Sequence, residues 1–253
     1  MNDKLNKFSA CILIIGNEIL SGRTQEKNVS YISKWLNTIG VKLEEARIIP
    51  DIKEIIIKNV NESRKKFDYV FTTGGIGPTH DDITAESISE AFNLNYETNE
   101  EAFNLLKKYY KPGEFTEGRQ RMTKMPSKAK LILNPTSGAP GFIVENVFCL
   151  PGVPSIMQSM LGGLENRISG GKKILTKTMN LKTVESEIAK DLKIVQEQSK
   201  DVEIGSYPFF RAGKLGVSIV IRSIDKLKID NCYKKILDFV VKKKIELINI
   251  NRK

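Results

Sequence analysis

This chain is short of the residues that many hydrolytic and metal centres are built from. His80 is its only histidine among 253 residues. That excludes a multi-histidine zinc centre, and it excludes a histidine-based triad unless His80 is itself the base. The three cysteines, Cys11, Cys149 and Cys232, are odd in number and far apart. Their spacing fits neither a zinc motif nor a disulfide framework, so they read as buried free thiols. Long apolar runs are missing as well. The run at residues 10–15 is too short for a membrane span, no small-residue cleavage site follows it, and no other stretch reaches the roughly 18 residues required. The expectation is a soluble, cytoplasmic protein with no membrane partner. No internal repeat, low-complexity tract or long linker interrupts the chain, which leaves one large domain or two smaller ones.

Basic residues, by contrast, are in excess. The net charge is +10, and the surplus leans toward the C-terminal end, where Lys226, Lys228, Lys234, Lys235, Lys242, Lys243, Lys244, Arg252 and Lys253 face only Asp230, Asp238 and Glu246. A solvated helix face accounts for most of this. Nucleic acid ranks last among partners, because the tail offers no legible exposed aromatic platform.

The first two-thirds alternates strand-like and helical segments. ACILIIG is a continuous apolar run ending in glycine, as in a strand buried on both faces. In EKNVSYISKWLNTIG, Val29, Ile32, Leu36 and Ile39 recur at helical spacing and Gly40 supplies the stop. VKLEEARIIP reads as a second strand, followed by a helix with Asp51 as its capping residue. DYVFTTGG is a third strand and DDITAESISEAF the next helix; residues 142–144 and 147–150 form a hairpin. Such alternation predicts a three-layer α/β/α domain with a mainly parallel sheet over residues 1–170. Residues 174–253 read strand, helix, strand, strand, helix, a small α+β domain. GKLG at 213–216 spells the loop of a KH RNA-binding domain, but it joins two strands and reads as a hairpin turn.

Ligands of such folds sit at the carboxyl ends of the strands. Two loops fall there: GNEILSG (16–22) after the first strand and GGIGPTHDD (74–82) after the third. Gly74, Gly75 and Gly77 allow tight bending and close approach of a phosphate. Asp81 and Asp82 admit two readings. Thr79-x-x-Asp82 spells a capping box, with Asp81 an alternative N-cap. The functional reading is a divalent cation held by Glu18, Asp81 and Asp82, bridging to phosphate.

GNEILSG, GGIGPTHDD, NPTSGAPGF and LPGVPSIMQSM, in this order, resemble the molybdopterin-binding-type domain of competence/damage-inducible protein A, a domain also fused to eukaryotic FAD synthases. The resemblance covers about residues 10–168 and continues loosely through ESEIAKDL and GSYP. It implies a molybdopterin-binding-like fold, a homodimer or other homo-oligomer, and metal-dependent pyrophosphatase activity on ADP-ribose or FAD, assisted by potassium in some members. Distant relatives bind or adenylylate molybdopterin, so the small-molecule ligand is a dinucleotide or a pterin. Carried onto this chain, it makes Glu18, Asp81 and Asp82 catalytic and metal-binding. Gly16, Asn17, Gly74, Gly75, Gly77, Thr79, Ser137, Gly138, Pro151 and Gly152 become the phosphate and nucleotide set. The metal is magnesium, manganese, cobalt or nickel. Neither the family's deamidase domain nor the FAD synthase module is found here, so those activities are not expected.

Overall fold

The computed structural model describes residues 8–211 and 214–248. The chain divides into two units, Phe8–Gly171 and one that contains the chain from Lys172 onward.

The first unit opens with β1 (Phe8–Ile15), buried along almost its whole length. It continues through α1 (Asn17–Leu20), α2 (Asn28–Thr38), β2 (Val41–Ile49), α3 (Lys53–Lys66), β3 (Tyr69–Thr73) and α4 (Thr84–Ala91). Next come β4 (Tyr96–Thr98), α5 (Glu100–Tyr109), α6 (Glu117–Arg121), β5 (Lys124–Pro126) and β6 (Lys130–Ile132). β7 (Gly141–Val144), β8 (Val147–Leu150), α7 (Pro154–Leu161) and a 3-10 turn (Gly162–Arg167) complete it. The main sheet has the order β2-β1-β3-β8-β7-β6. The β1–β2, β1–β3 and β3–β8 pairs are parallel, and β8–β7 and β7–β6 are antiparallel.

The apolar run of β1 reflects burial on both faces. Cys11, Leu13 and Ile15 pack with Ile56 and Val60 of α3 and Ile88 of α4. Ala10, Ile12 and Ile14 pack with Ile32 and Leu36 of α2 and with Met157 and Leu161 of α7. Each fully buried aliphatic side chain contributes about 1.5–3 kcal/mol, so this strand anchors the three layers. The parallel arrangement of β1, β3 and β8 brings their carboxyl ends to one edge of the sheet. Gly40, with φ of 70°, ends α2 in the left-handed conformation that glycine tolerates.

All three cysteines are free and buried. Burial pushes the Cys149 thiol from 9.0 up to about 12, because the interior disfavours the thiolate. In the unfolded chain the thiol loses its proton at an ordinary pH; in the folded chain it cannot. Stability is therefore full below pH 9 and falls as pH rises toward 12, by about 1.4 kcal/mol per pH unit in that window. Urea unfolding at pH 8 and pH 10 should show a larger loss in the wild type than in Cys149→Ala.

The second unit runs β9 (Leu175–Lys182), α8 (Glu185–Gln198), β10 (Glu203–Arg211), β11 (Lys214–Ser223), α9 (Lys226–Lys242) and β12 (Glu246–Leu247). Its sheet has the order β10-β11-β9-β12, with antiparallel pairs throughout. Both helices pack on one face, where Ile188, Leu192, Ile229 and Ile236 meet Met179, Leu181, Ile219 and Ile221. The strand, helix, strand, strand, helix reading gains one element here: the last helix ends at Lys242, Lys244 takes φ of 56°, and the chain turns into β12 beside β9. β10 and β11 form a hairpin with Arg211 opposite Lys214. The turn itself, including Gly213, and the terminal Arg252 and Lys253 lie outside the described residues. No helix among the described residues is long and apolar enough to cross a membrane.

Candidate functional site

The carboxyl-end loops of β1, β3 and β8 meet around a cavity of about 520 Å3, a size suited to a nucleotide-like ligand. Glu18, Gly74, Gly75, Gly77, Asp82, Ser137, Pro151 and Gly152 all line it. So do Ile76, Pro140, Val153 and Ile156, which make one wall apolar. Gly16, Asn17, Thr79, Asp81 and Gly138 do not line it.

Local geometry explains the glycines. Gly74 has φ of 101°, and a Cβ added there would lie 2.1 Å from the carbonyl oxygen of Ile15. At Gly75, with φ of 67°, an added Cβ would lie 2.2 Å from Thr84 Oγ1. The loop folds back onto α4, where the Thr84 hydroxyl donates to the Gly74 carbonyl and the Thr84 N–H to the Gly75 carbonyl. Two further glycines make room for the acids. An added Cβ at Gly16 would stand 2.6 Å from the Glu18 carboxylate, and one at Gly77 would stand 2.7 Å from Asp82 Oδ2. The Gly74 N–H closes the sheet against the Leu150 carbonyl. By contrast, the N–H groups of Gly75, Ile76 and Gly77 donate to no protein group among the described residues.

Several expectations change at this point. Neither Asp81 nor Thr79 caps α4. That helix starts at Thr84 behind Ile83, with no side-chain cap. Thr79 and Asp82 instead close a turn of their own, in which Asp82 Oδ2 accepts from the Thr79 N–H at 2.8 Å and the Thr79 hydroxyl at 2.5 Å. Thr79 is thus a clamp on Asp82. Asp81 is exposed, and the Thr79 hydroxyl and its own backbone N–H hold its carboxyl below the usual carboxylate range. The acidic trio does not form a ready cage: among the described residues, no three His, Cys, Asp or Glu side chains are grouped to hold a metal. Glu18 and Asp82 alone share the cavity. His80 is exposed and outside the lining. Gly138, at φ of 76°, makes room for the Tyr109 ring, 2.7 Å from where its Cβ would be.

Three supporting residues escaped the sequence reading. Asp51 does not cap α3, whose N-cap is Ile52; its carboxylate accepts from the Asn17 N–H at 2.8 Å and so ties down the loop that carries Glu18. Asn28, in the first turn of α2, donates through Nδ2 to the Gly152 carbonyl at 2.9 Å, while its buried Oδ1 has no partner among the described residues. Asn134 shapes the NPTSG loop by accepting from the N–H groups of Thr136 and Ser137 and donating to Ser137 Oγ and the Ala139 carbonyl. The Ser137 hydroxyl donates to no protein group among the described residues. No local spacing signals the first two contacts, which span 34 and 124 residues. Asp51→Ala should loosen the Glu18 loop and cost about 1 kcal/mol, read as a lower urea midpoint.

Residues 11–168 match the family profile described as a probable molybdopterin binding domain, well over half of the chain. The chain belongs to that family. Residues 173–247 match a second profile, the FAD synthase middle domain. As a probable molybdopterin binding domain protein, the chain is similar to a protein of Archaeoglobus fulgidus, 36% identical over 217 residues, covering 86% of this chain and 92% of the relative. It is also similar to a CinA-like protein of Sulfurihydrogenibium sp., 40% identical over 161 residues, 60% of this chain and 40% of that longer relative. Among solved structures, the protein CinA of unknown function from Thermoplasma acidophilum aligns with a TM-score of 0.58 at 31% identity, covering 63% of this chain and 98% of that one. The resemblance to competence/damage-inducible protein A and to the FAD synthase fusion is borne out.

Proposed function

We propose that the Phe8–Gly171 unit is a metal-dependent nucleotide pyrophosphatase that hydrolyses the diphosphate of ADP-ribose or FAD and releases AMP. The observation that carries this reading is the meeting of Glu18 and Asp82, from separate loops, in one cavity beside the unbonded amides of Gly75, Ile76 and Gly77. The donor set fits a hard cation: two carboxylates, with no histidine or thiol in the lining. Magnesium and manganese take one or two carboxylates and complete their shells with water and substrate phosphates, so they need no three-residue cage. Cobalt and nickel are softer alternatives, and potassium an assisting ion. When bound, the cation offsets diphosphate charge and lowers the pKa of a water nucleophile.

The chain's own groups supply position. The free amides of the glycine loop and the Ser137 hydroxyl donate to phosphate oxygens. Pro140, Val153 and Ile156 offer a flat base an apolar wall and exclude water there. Thr79 fixes Asp82, and Asp51 fixes the backbone beside Glu18. The FAD synthase middle-domain match supports a nucleotide ligand.

The test is incubation with ADP-ribose or FAD across a series of divalent ions, with chromatographic detection of AMP. Ribose 5-phosphate or FMN should appear alongside it. No AMP with any ion would end the pyrophosphatase reading. The family description favours a second reading, a pterin-binding module without turnover. Saturable molybdopterin binding without AMP release would select it. In either case the protein is read as a cytoplasmic homodimer, for which light scattering should give twice the chain mass of 28.5 kDa.

A further inference from the structure

The second unit has a βαββαβ order with both helices on one face of its sheet, and its other face carries aromatic rings. Alternation along β10 and β11 puts Gly205, Tyr207 and Phe209 on that other face, opposite Val220, Ser218 and Gly216. The rings lie over glycines. A Cβ added at Gly205 would stand 2.7 Å from the Tyr207 ring, and one at Gly216 would stand 2.6 Å from the Phe209 ring. With no side chains at those two positions, the rings can lie low on the sheet rather than stand upright from it. Tyr207 is 48% exposed and Phe209 partly so. Being two residues apart on one strand, they sit about 7 Å from each other.

Apart from Val220, the rest of this face is polar. It carries Thr176, Thr178, Asn180 and Lys182 of β9, Ser218 and exposed Arg222 of β11, and two acids, Glu203 opposite Arg222 and Glu246 opposite Lys182. Ser218 donates to Asn180 Oδ1 and Lys182 pairs with Glu246. Residues 172–253 hold 19 Lys and Arg against 10 Asp and Glu, nine of the chain's ten net positive charges. This combination selects one class of occupant. The face itself is balanced, Lys182 and Arg222 against Glu203 and Glu246, so the charge acts through the unit as a whole. A second copy would set +9 against +9, whereas a polyanion with flat bases is attracted by the charge and fits the rings.

We infer that the open face of the β9–β12 sheet binds single-stranded nucleic acid, with bases stacked on Tyr207 and Phe209 and the backbone drawn by the net positive charge of the unit. Base pairs in a duplex keep their faces stacked on one another, so the rings require an unpaired strand. The platform that is not legible in the sequence is split between strand aromatics and the glycines beneath them. It is independent of the cavity in the first unit.

Fluorescence anisotropy of the full-length protein with labelled oligouridine, oligothymidine and a duplex of equal length tests this. The single strands should bind more tightly than the duplex, with affinity falling steeply as salt rises. The preferred sugar distinguishes RNA from DNA as the source. Tyr207→Ala with Phe209→Ala should weaken binding by at least about tenfold, while Tyr207→Phe should bind like the wild type. Tyr207→Ala alone serves if the double variant fails to melt cooperatively. Three results would overturn the inference: no single-strand binding at low salt, equal duplex binding that ring removal leaves unchanged, or a halved particle mass on ring removal, which would place the rings between copies.

Discussion

Asp82→Asn should lower AMP release from ADP-ribose or FAD by roughly 100-fold or more, the scale of losing a charge that works directly on the diphosphate or its cation. The substitution isolates charge from structure. The amide oxygen of Asn can still accept from the Thr79 N–H and hydroxyl, the two bonds that Asp82 Oδ2 accepts. The melting temperature should therefore stay near the wild-type value while activity collapses. Glu18→Gln should give a fall of similar size, since Glu18 shares the cavity and has no ion-pair partner among the described residues. Asp81→Asn, outside the lining, should cost far less. Equal losses at Asp81 and Asp82 would return the site to the symmetrical acidic pair expected from sequence.

The second large effect is on stability. Gly74→Ala combines two penalties that no side-chain rotation relieves: φ of 101° and a Cβ at 2.1 Å from a main-chain oxygen of β1. Backbone strain of this kind costs about 1–3 kcal/mol. Forcing β1 and β3 apart at a packed edge adds about 1–3 kcal/mol. Together they would remove a large part of the roughly 5–15 kcal/mol that holds a domain folded. Gly22→Ala is the control, because Gly22 also has positive φ, at 74°, but nothing within 4 Å of an added Cβ. It should cost only about 1 kcal/mol. Similar urea midpoints for the two variants would show that the loop yields where the structure makes it rigid.

What the sequence disclosed followed from local pattern. The run in β1 reads as a doubly buried strand because each of its faces meets a helix layer. Gly40 reads as a helix stop because α2 ends two residues earlier, at Thr38, and Gly40 itself takes the left-handed conformation that favours glycine. The glycine loop and Glu18 are legible because strand ends are where ligands bind. The start of α4 was misread because Thr79 and Asp82 spell a cap, yet they close their own turn and the backbone reaches helical geometry only at Thr84. Asp51 was misread for the opposite reason. Its position suits a cap, but a nearer donor in three dimensions, the Asn17 amide, takes its carboxylate. The unequal roles of Asp81 and Asp82 depend on which one faces the cavity, and adjacent identical residues carry no sign of that. β12 is two residues long, too short for any alternation to show.

The central claim is that Glu18 and Asp82 together hold a cation at the nucleotide's phosphates. Electron paramagnetic resonance of Mn2+ titrated with protein in the presence of AMP tests it without relying on turnover. The free Mn2+ signal should fall with the wild type and persist with the Glu18→Gln, Asp82→Asn double variant. An equal fall with both proteins, or none with either, would contradict the account.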